Sequence, residues 1–314
     1  MSSSMTSNTS DSSIGLSSVG ASVSVGASLI TAGFLANTLQ GALGKVVQEK
    51  IPPGQFLWLL LMMALAVLLP LVAWRSHRQN AQDLQAGWNR QVLPLYLLRA
   101  VFGLCGFYLF VWAASLGSLV NATVLLNTTP VFIPVLGVLA LGKQISLRLW
   151  GAIAIGFIGL LLVVQPNAEL LRNPANLVGL GAGFSAAIEF LTVRRLGQTQ
   201  TPLSQTLYYL LMGSVLMAPF ALWQWQGLTV STLGIIAVAA GLFLTFQLLL
   251  VQAYRFAEPH QIGVFQYSSV IFAAAIGWLF FNEIPNGIAL AGMVLICVGG
   301  VLSIYLEQVP DEEE

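Results

Sequence analysis

The sequence predicts an all-α polytopic membrane protein, with ten transmembrane helices arranged as two inverted five-helix repeats. Two observations predict the membrane class. The chain is 57% hydrophobic and only 8% charged, whereas soluble domains carry about 25% charged residues. Its charge-free runs are also long enough for helices that cross a bilayer core, which takes about 20 apolar residues. A third observation, an echo between the two halves, predicts the repeat.

The echo relates residues 123–143 to residues 263–283 at a constant offset. The polar pair 128–129 (Thr-Thr) falls on the pair 268–269 (Ser-Ser). The other matched pairs are Val124 and Val264, Phe132 and Phe272, Gly137 and Gly277, and Leu139 and Leu279. Five spans per half is an odd number, so the second half must enter the membrane from the opposite side. Such inverted repeats are frequent in secondary transporters, which bind substrate near the midplane between the halves.

Composition divides the chain into four parts. Residues 1–21 are rich in Ser, Thr, Asn and Gly and are predicted to be a disordered cytoplasmic tail. Residues 22–166 and 175–306 are the two predicted five-helix repeats. Residues 307–314 form a predicted acidic cytoplasmic tail.

The charge-free runs are divided into ten predicted spans. In order they are Val25–Val46, Gln55–Trp74, Leu93–Ser115, Leu119–Leu141, Leu149–Val164, Asn176–Val193, Leu203–Trp223, Leu233–Tyr254, Gln261–Phe281 and Gly287–Tyr305. Basic residues concentrate in the loops after spans 2, 4, 6 and 8. Because Lys and Arg favour short cytoplasmic loops, both termini are predicted to be cytoplasmic, in a bacterial inner membrane.

Spans 1 and 3 carry the first polar candidates. Asn37 and Gln40 share one face of span 1 with two glycines. That face suits either a substrate pathway or close helix packing. Arg99 lies near the inner end of span 3. It either snorkels to the interface or serves as a gate or a charge that binds substrate.

Span 4 has a polar, kinked stripe of Thr123, Asn127, Pro130 and Pro134, with Thr128 beside it. Proline removes a backbone donor and clashes with the preceding turn. The freed carbonyl groups need partners or a wet cavity in a membrane. The stripe therefore predicts a lining of the substrate pathway. The alternative is a helix that is kinked for packing, with its Asn and Thr bonded to neighbours.

Glu189 is the most informative charge, because it lies within span 6 without a cation one turn away on either side. A carboxylate within a span is costly and by default marks an ion or proton pathway. Glu189 is therefore the predicted residue of proton coupling. The alternative is that it snorkels to the inner interface.

Spans 8 and 9 complete the predicted pathway. Gln247 is a candidate in span 8. Under the repeat, Tyr267 stands where Asn127 stands, with Gln266 and Ser269 beside it. Tyr267 either faces the central site or is an ordinary packed aromatic side chain.

Spans 5 and 10 have glycine faces and almost no polar residues. The glycines are Gly151, Gly156, Gly159, Gly292, Gly299 and Gly300. These faces predict packing surfaces, either as a scaffold or as the contact of a homodimer.

Other classes of function find little support. The chain has equal numbers of acidic and basic residues and no basic patch for nucleic acid. It contains no HExxH motif, P-loop or paired intramembrane aspartates. The two cysteines, Cys105 and Cys297, lie in apolar spans without a metal-binding pattern. We therefore expect neither an enzyme nor a cofactor or metal site.

Two blocks carry a family resemblance: LLRAVFGLCGFYLFVWAASLGSLVNATVLLNTTPVFIPVLGVLALGK with WGAIAIGFIGLLLVVQP, and QIGVFQYSSVIFAAAIGWLFFNEIPNGIALAGMVLICVGGVLSIY. They resemble the EamA type of the drug/metabolite transporter superfamily, over roughly residues 32–305. The resemblance implies a ten-helix exporter or importer whose central cavity is lined by helices 1, 3, 4, 6, 8 and 9. The chain departs from the family pattern at Lys143, where an acid is common, and keeps that acid only at Glu283. The arginine often found in helix 2 is also missing.

These observations predict a secondary transporter that exports small organic metabolites, such as amino acids or related solutes, by alternating access with proton coupling. Its partners would be a small-molecule substrate and the lipid bilayer. The alternative is a membrane protein that signals or scaffolds without transport.

Overall fold

A computed structural model describes residues 9–78, 90–116, 119–141, 146–166, 176–223, 225–281 and 284–307. All regular secondary structure in these residues is helical. The helices are α1 (Thr9–Gln48), α2 (Pro53–Arg78), α3 (Leu93–Leu116), α4 (Leu119–Leu126), α5 (Thr129–Leu141), α6 (Leu147–Val164), α7 (Asn176–Gly197), α8 (Pro202–Trp223), α9 (Val230–Phe256), α10 (Pro259–Ile262), a 3₁₀ helix (Gly263–Tyr267), α11 (Ser268–Phe281) and α12 (Gly287–Glu307).

Ten segments of these residues are long and apolar enough to cross a membrane. They coincide with the ten predicted spans, so the prediction of an all-α membrane protein with ten transmembrane helices is confirmed. The fourth span consists of α4 and α5, and the ninth consists of α10, the 3₁₀ helix and α11. The predicted ends at Lys143 and Glu283 lie outside the described residues.

The first helix begins earlier than predicted. It starts at Thr9, so residues 9–21 of the expected disordered tail are helical. No proline occurs before Pro52 to interrupt the backbone hydrogen bonds of the first span. The helix therefore continues in the N-terminal direction through a segment whose composition alone predicts disorder.

The fourth and ninth spans are interrupted. In the fourth span the interruption is at Asn127 and Thr128, and Pro130 is the second residue of α5. Proline is tolerated there because the first turn of a helix has no intrahelical partner for its missing N–H. In the ninth span the interruption is the 3₁₀ helix, which has a tighter turn than an α-helix.

The helix contacts follow the pattern that two inverted repeats predict. α1 packs against α9, and α7 packs against α3. Under the repeat, α1 corresponds to α7 and α9 corresponds to α3, so each of these two contacts is the counterpart of the other. α6 also packs against α12, and α2 packs against α8. In each of these pairs a helix contacts its own counterpart in the other half. The helix packing is therefore consistent with the repeat that the sequence echo predicts.

The glycine faces of α6 and α12 meet each other. A Cβ added to Gly159 would lie 2.6 Å from the carbonyl oxygen of Gly292, and one added to Gly299 would lie 2.9 Å from the backbone nitrogen of Gly156. The two backbones approach so closely because neither helix has side chains at these positions. The faces at Gly156, Gly159, Gly292 and Gly299 are thus occupied within the chain, whereas the position of Gly151 is open, so a homodimer would have to use Gly151 or the other faces of these helices.

Candidate functional site

Arg99 lies in the interior of the bundle with no exposed surface. Its Nη1 donates to the backbone oxygen of Gln205 on α8, at 3.1 Å, and its Nη2 donates to Oε1 of Gln247 on α9, at 3.0 Å. The guanidinium also lies 4.8 Å from the ring centroid of Tyr209, a cation–π contact. The interpretation that Arg99 snorkels to the interface is therefore wrong, because the side chain faces α8 and α9 rather than the lipid.

Glu189 of α7 is 8% exposed. Its carboxylate lies against Gly103 of α3, where an added Cβ would be 2.9 Å from the carboxylate carbon. Gly103 follows Arg99 by one helical turn, so the two charged groups meet the same face of α3. Glu189 is thus held inside the bundle and does not snorkel.

Arg99 and Glu189 interact electrostatically but do not form an ion pair. Their charges influence each other, yet the ion pairs within 4.0 Å among the described residues do not include one between them. No hydrogen bond to the Glu189 carboxylate occurs in the described part of the chain either. The bundle therefore holds a buried cation and a buried anion that are not joined by a direct ion pair.

Three tyrosines surround these charges. The side chain of Tyr209 is hydrogen-bonded to Gln247, and the hydroxyl of Tyr96 donates to Oε1 of Gln200 at 3.1 Å. Tyr254 is fully buried and packs against Phe190 at a centroid distance of 5.7 Å. Its hydroxyl has no hydrogen-bond partner among the described residues. Buried polar atoms are usually paired, so this unpaired hydroxyl is a group that a ligand or water can satisfy.

We call Arg99, Glu189, Gln247, Tyr209 and Tyr254 the charged cluster. Its members come from α3, α7, α8 and α9, and each lies in the half of its helix nearer the predicted cytoplasmic end. The cluster therefore places Glu189, Arg99 and Gln247, three of the residues predicted from the sequence, within one site.

The predicted residues of the fourth span lie at its interruption. Asn127 is buried; its Nδ2 donates to the backbone oxygen of Thr123 at 2.9 Å, while its Oδ1 has no partner within the described residues. Thr128 donates to the backbone oxygen of Leu125. Thr129 donates to the backbone oxygen of Gly183 on α7 at 3.2 Å. The interruption therefore packs on the helix that carries Glu189.

The two interrupted spans contact each other at their interruptions. A Cβ added to Gly263 would lie 3.3 Å from Cδ1 of Ile133 and 3.9 Å from Cβ of Pro130. Pro134, one turn after Pro130, is also buried. The two interrupted spans therefore meet at Pro130 and Gly263.

The remaining predicted residues are divided between two places. Gln266 is 6% exposed, and its Oε1 has no partner among the residues described. Ser269 donates to the backbone oxygen of Gln266 at 2.7 Å. Asn37 and Gln40 are half-buried on α1, which packs on α11. These four residues lie on the α1 and α11 side of the bundle, outside the charged cluster.

Tyr267 lies away from the charged cluster. It is fully buried against α6, 6.4 Å from Phe157 between ring centroids, in a small apolar cluster that includes Leu160 and Ile296. The 3₁₀ helix turns every three residues, so Tyr267 leaves the face that an α-helical register assigns to it. The ring of Tyr267 is thus packed, while its buried hydroxyl has no hydrogen-bond partner among the described residues, so the place of Tyr267 in the pathway stays a prediction.

Comparison with known proteins decides the family. The chain matches the EamA-like transporter family over residues 24–165 and again over residues 173–305. The chain belongs to the EamA-like transporter family. It is therefore an integral membrane protein and a transporter of small metabolites rather than an enzyme.

Several relatives are similar along most of the chain. It is 28% identical to the riboflavin transporter of Vibrio cholerae serotype O1, over 74% of this chain and 76% of the relative. It is 27% identical to the pseudopaline exporter CntI of Pseudomonas aeruginosa (67% and 74%). It is 24% identical to the S-adenosylmethionine uptake transporter of Rickettsia bellii (68% and 73%).

A solved structure has the same fold. Described only as "Crystal structure of protein", it superposes with a TM-score of 0.74 over 92% of this chain and 99% of that chain, at 17% sequence identity. At this level of sequence identity the similarity shows the fold alone.

The sequence analysis did not identify some residues in and around the charged cluster. Gln205 and Tyr209 were not singled out, although their spacing of one turn on an apolar span is a detectable polar face. An ion pair was missed as well. Nη2 of Arg194, at the end of α7, lies 2.9 Å from Oε1 of Glu258, and its Nη1 donates to the backbone oxygen of Tyr254 at 2.5 Å. This pair joins α7 to the junction of α9 and α10 at the predicted cytoplasmic end.

Proposed function

We propose that this protein is a proton-coupled secondary transporter that exports small organic metabolites, such as amino acids or related solutes, by alternating access. The observation that carries the proposal is the burial of Glu189 in the interior of the bundle, without an ion-pair partner among the described residues. Ionisable residues in such positions mark ion or proton pathways in membrane proteins.

Coupling follows from the cost of charge in a poorly solvated interior. A proton that binds Glu189 removes a buried negative charge, and the release of that proton restores it. The two states of Glu189 therefore differ in their interaction with Arg99 and with a substrate nearby. A proton gradient that acts on Glu189 can drive the movement of a solute that uses the same site.

The interrupted helices supply a means of alternating access. Backbone groups freed at the interruptions need partners, which a wet cavity or a substrate can provide. Pro130 and Gly263 lie where the two interruptions touch. Rocking of one half against the other about this contact would open the site to one side at a time. We propose that the pathway beside it includes Asn37, Gln40, Thr123, Asn127, Thr128, Pro134, Gln266 and Ser269.

The orientation supports export. With both termini in the cytoplasm of a bacterium, the basic ends of α7 and α9 face inward, because Lys and Arg favour that side. The charged cluster then lies in the cytoplasmic half. The inward proton gradient of a bacterial inner membrane would drive a proton in and a solute out. Relatives named as an exporter and as an uptake transporter both exist, so direction has to be measured.

Flux into inside-out vesicles tests this proposal. Vesicles with the overexpressed protein and vesicles without it receive a broad mixture of metabolites that includes riboflavin and the amino acids, and mass spectrometry measures what accumulates. We expect accumulation that depends on the protein and on an imposed gradient with an acidic interior, and that a protonophore abolishes. Accumulation unaffected by the protonophore would contradict proton coupling. Uptake seen only in right-side-out vesicles would contradict export.

A further inference from the structure

A cavity of about 340 Å³ lies where the start of α2 approaches the C-terminal turns of α3 and α8, at the predicted outer end of the bundle. We call it the outer pocket; its lining includes Gly54, Tyr108, Val111, Trp112, Phe220 and Trp223. We propose that the outer pocket binds a small, neutral, planar aromatic compound with one hydrogen-bonding group, and that the bound compound slows transport. The binding stands apart from the proposed function, whereas the effect on transport rests on it.

Four aromatic side chains line the outer pocket. Tyr108 and Trp112 come from α3, and Phe220 and Trp223 come from α8. The rings of Tyr108 and Phe220 lie 5.7 Å apart between centroids, and much of the surface of Phe220 stays exposed. A planar aromatic ligand between the two helices would therefore meet ring faces and edges, contacts that add to the gain from burying apolar surface.

The lining also determines the charge of the ligand. No charged side chain lines the outer pocket among the residues that the structure describes. A carboxylate or an ammonium group that entered would lose hydration without gaining an ion-pair partner. The pocket is therefore suited to a neutral compound, in contrast to the charged cluster. Its volume is near the lower end of the range for ligand pockets, which favours a compound of one or two rings.

The hydroxyl of Tyr108 supplies the polar contact. It is buried and has no hydrogen-bond partner among the described residues. The start of α2 lies directly over it, because a Cβ added to Gly54 would be 2.6 Å from the hydroxyl oxygen. A hydroxyl both donates and accepts hydrogen bonds. A ligand with one hydroxyl or N–H group that enters beside Tyr108 would provide the bond that the described protein does not.

An aromatic belt at the membrane surface explains only part of this arrangement. Trp and Tyr are enriched at both interfaces of a membrane, where their polar groups face water or lipid headgroups. Trp278 near the end of α11 is an exposed tryptophan of this kind that lies outside the outer pocket. The hydroxyl of Tyr108 is buried instead. A belt does not require a buried, unpaired hydroxyl or rings from two helices around one cavity.

The outer pocket lies between the two halves of the chain. Tyr108 and Trp112 belong to the first half, and Phe220 and Trp223 belong to the second. A rigid ligand between them would hinder the rocking of one half against the other. Phe220 follows Tyr209 on the same face of α8 by about three turns, roughly 16 Å along the helix axis. The ligand would therefore act without occupying the charged cluster.

Three matched compounds test the binding. β-Naphthol has aromatic rings and a hydroxyl, decahydro-β-naphthol keeps the hydroxyl without the aromatic rings, and β-methylnaphthalene keeps the rings without the hydroxyl. Equilibrium dialysis of the labelled compounds against the purified protein in lipid nanodiscs measures binding, and empty nanodiscs correct for partition into lipid. We expect β-naphthol to bind, and each of the other two to bind roughly tenfold more weakly. Equal binding of decahydro-β-naphthol would indicate an apolar site for lipid tails and would overturn the inference.

Two variants locate the site. Val111→Phe fills the outer pocket and should abolish binding of β-naphthol, while Trp223→Leu removes one ring and should weaken binding severalfold. Trp278→Leu is the matched control at an exposed tryptophan elsewhere and should bind as the wild-type protein does. Melting temperatures check folding; if Val111→Phe does not fold, Trp223→Leu, at a largely exposed position, still decides. Unchanged binding by Trp223→Leu, or an equal loss in Trp278→Leu, would contradict this site.

Transport in inside-out vesicles tests the effect of the ligand. β-Naphthol crosses membranes, so it reaches the outer pocket from either side. It should inhibit gradient-driven accumulation by the wild-type protein at the concentrations at which it binds, and Trp223→Leu should need severalfold more. A pH-sensitive dye confirms that the gradient persists, and decahydro-β-naphthol is the matched control compound. Binding without inhibition would overturn the effect on transport.

The outcomes separate this inference from the proposed function. A folded protein that binds β-naphthol but accumulates no solute would overturn the proposed function, and the effect on transport with it, while confirming the aromatic site. Gradient-driven accumulation by a protein that does not bind β-naphthol would overturn this inference and leave the proposed function standing.

Discussion

At the residue scale, Gly103 sets the position of the Glu189 carboxylate. The two come from different helices, and the carboxylate occupies the space that any side chain at position 103 would fill. A carboxylate at the end of a flexible side chain moves easily, whereas a helix backbone does not. Function at this site should therefore be sensitive to a single methyl group.

Gly103→Ala should displace the carboxylate and lower gradient-driven transport severalfold, with little effect on folding. Gly106→Ala, about one turn further along α3, is the matched control. Its new Cβ would meet no atom closer than 3.5 Å. Transport rate in vesicles and melting temperature of the purified protein measure the two effects. Equal transport by both variants would show that the position of the carboxylate does not matter.

Single residues could be nominated from the sequence, but their partners could not. Glu189, Arg99 and Asn127 are conspicuous because polar groups are costly in apolar spans. That Arg99 binds Gln205 and Gln247 depends on how α3, α8 and α9 pack, which spacing along one helix does not reveal. Tyr267 was assigned to the pathway by its place in the repeat. In the structure Tyr267 ends a 3₁₀ helix, and its ring packs against Phe157 of α6.

At the scale of elements, the glycines of α6 and α12 let the backbones of these two helices pack directly against each other. A Cβ on Gly159 would collide with a backbone oxygen, which cannot move without shifting a helix. Neither α6 nor α12 contributes to the charged cluster. The close packing of the pair agrees with a scaffold, one of the two roles that the sequence predicts for the fifth and tenth spans, and a homodimer contact through their other faces stays a prediction.

Gly159→Ala should destabilise the protein by about 1–3 kcal/mol, the usual cost of overpacking. Gly151→Ala lies on the same helix with open space around its Cβ. It should be neutral or should stabilise the helix by up to about 1 kcal/mol, because alanine is the better helix former. Melting curves in detergent would compare the two. Similar melting temperatures would contradict the close contact.

The end of α7 is tied to α9 and α10 through Arg194, which contacts Glu258 and two backbone oxygens near the end of α9. Arg194→Gln should therefore lower the melting temperature. Arg195→Gln, at the exposed neighbouring position, should not. Hydrogen bonds to charged groups contribute roughly 1.5–3 kcal/mol each before allowance for their partial exposure. If the two variants melt alike, the link does not stabilise the inner end.

The sequence predicts some of these elements better than others. Ten spans follow from apolar length, and the interruption of the fourth follows from Pro130. The interruption of the ninth has no proline inside it, and the sequence analysis does not predict it. The start of α1 at Thr9 was missed because composition describes an average tendency, whereas a helix can extend from an ordered span.

At the scale of the whole molecule, the two halves are related by their family matches and by their contacts. The same family matches residues 24–165 and 173–305, and the main helix contacts exchange with the halves. An inversion of the second half requires that both termini lie on the same side of the membrane. The basic loops predict that this side is the cytoplasm.

Reporter fusions test this orientation. A green fluorescent protein fused to the C-terminus should fluoresce, and alkaline phosphatase at the same place should be inactive, because the first folds in the cytoplasm and the second only outside it. The same pair fused after residue 49, in the predicted outer loop between α1 and α2, should give the opposite result. Active phosphatase at the C-terminus would contradict the inverted arrangement as oriented here.

The measurement that tests the central claim most directly compares the wild-type protein with Glu189→Gln in inside-out vesicles. The substrate is a solute that the wild-type protein accumulates under an imposed pH gradient, and Glu49→Gln serves as the exposed control. We predict that Glu189→Gln, present at normal levels and folded, loses accumulation driven by the gradient, while Glu49→Gln retains it. Gradient-driven accumulation by Glu189→Gln equal to that of the wild-type protein would contradict proton coupling through this residue.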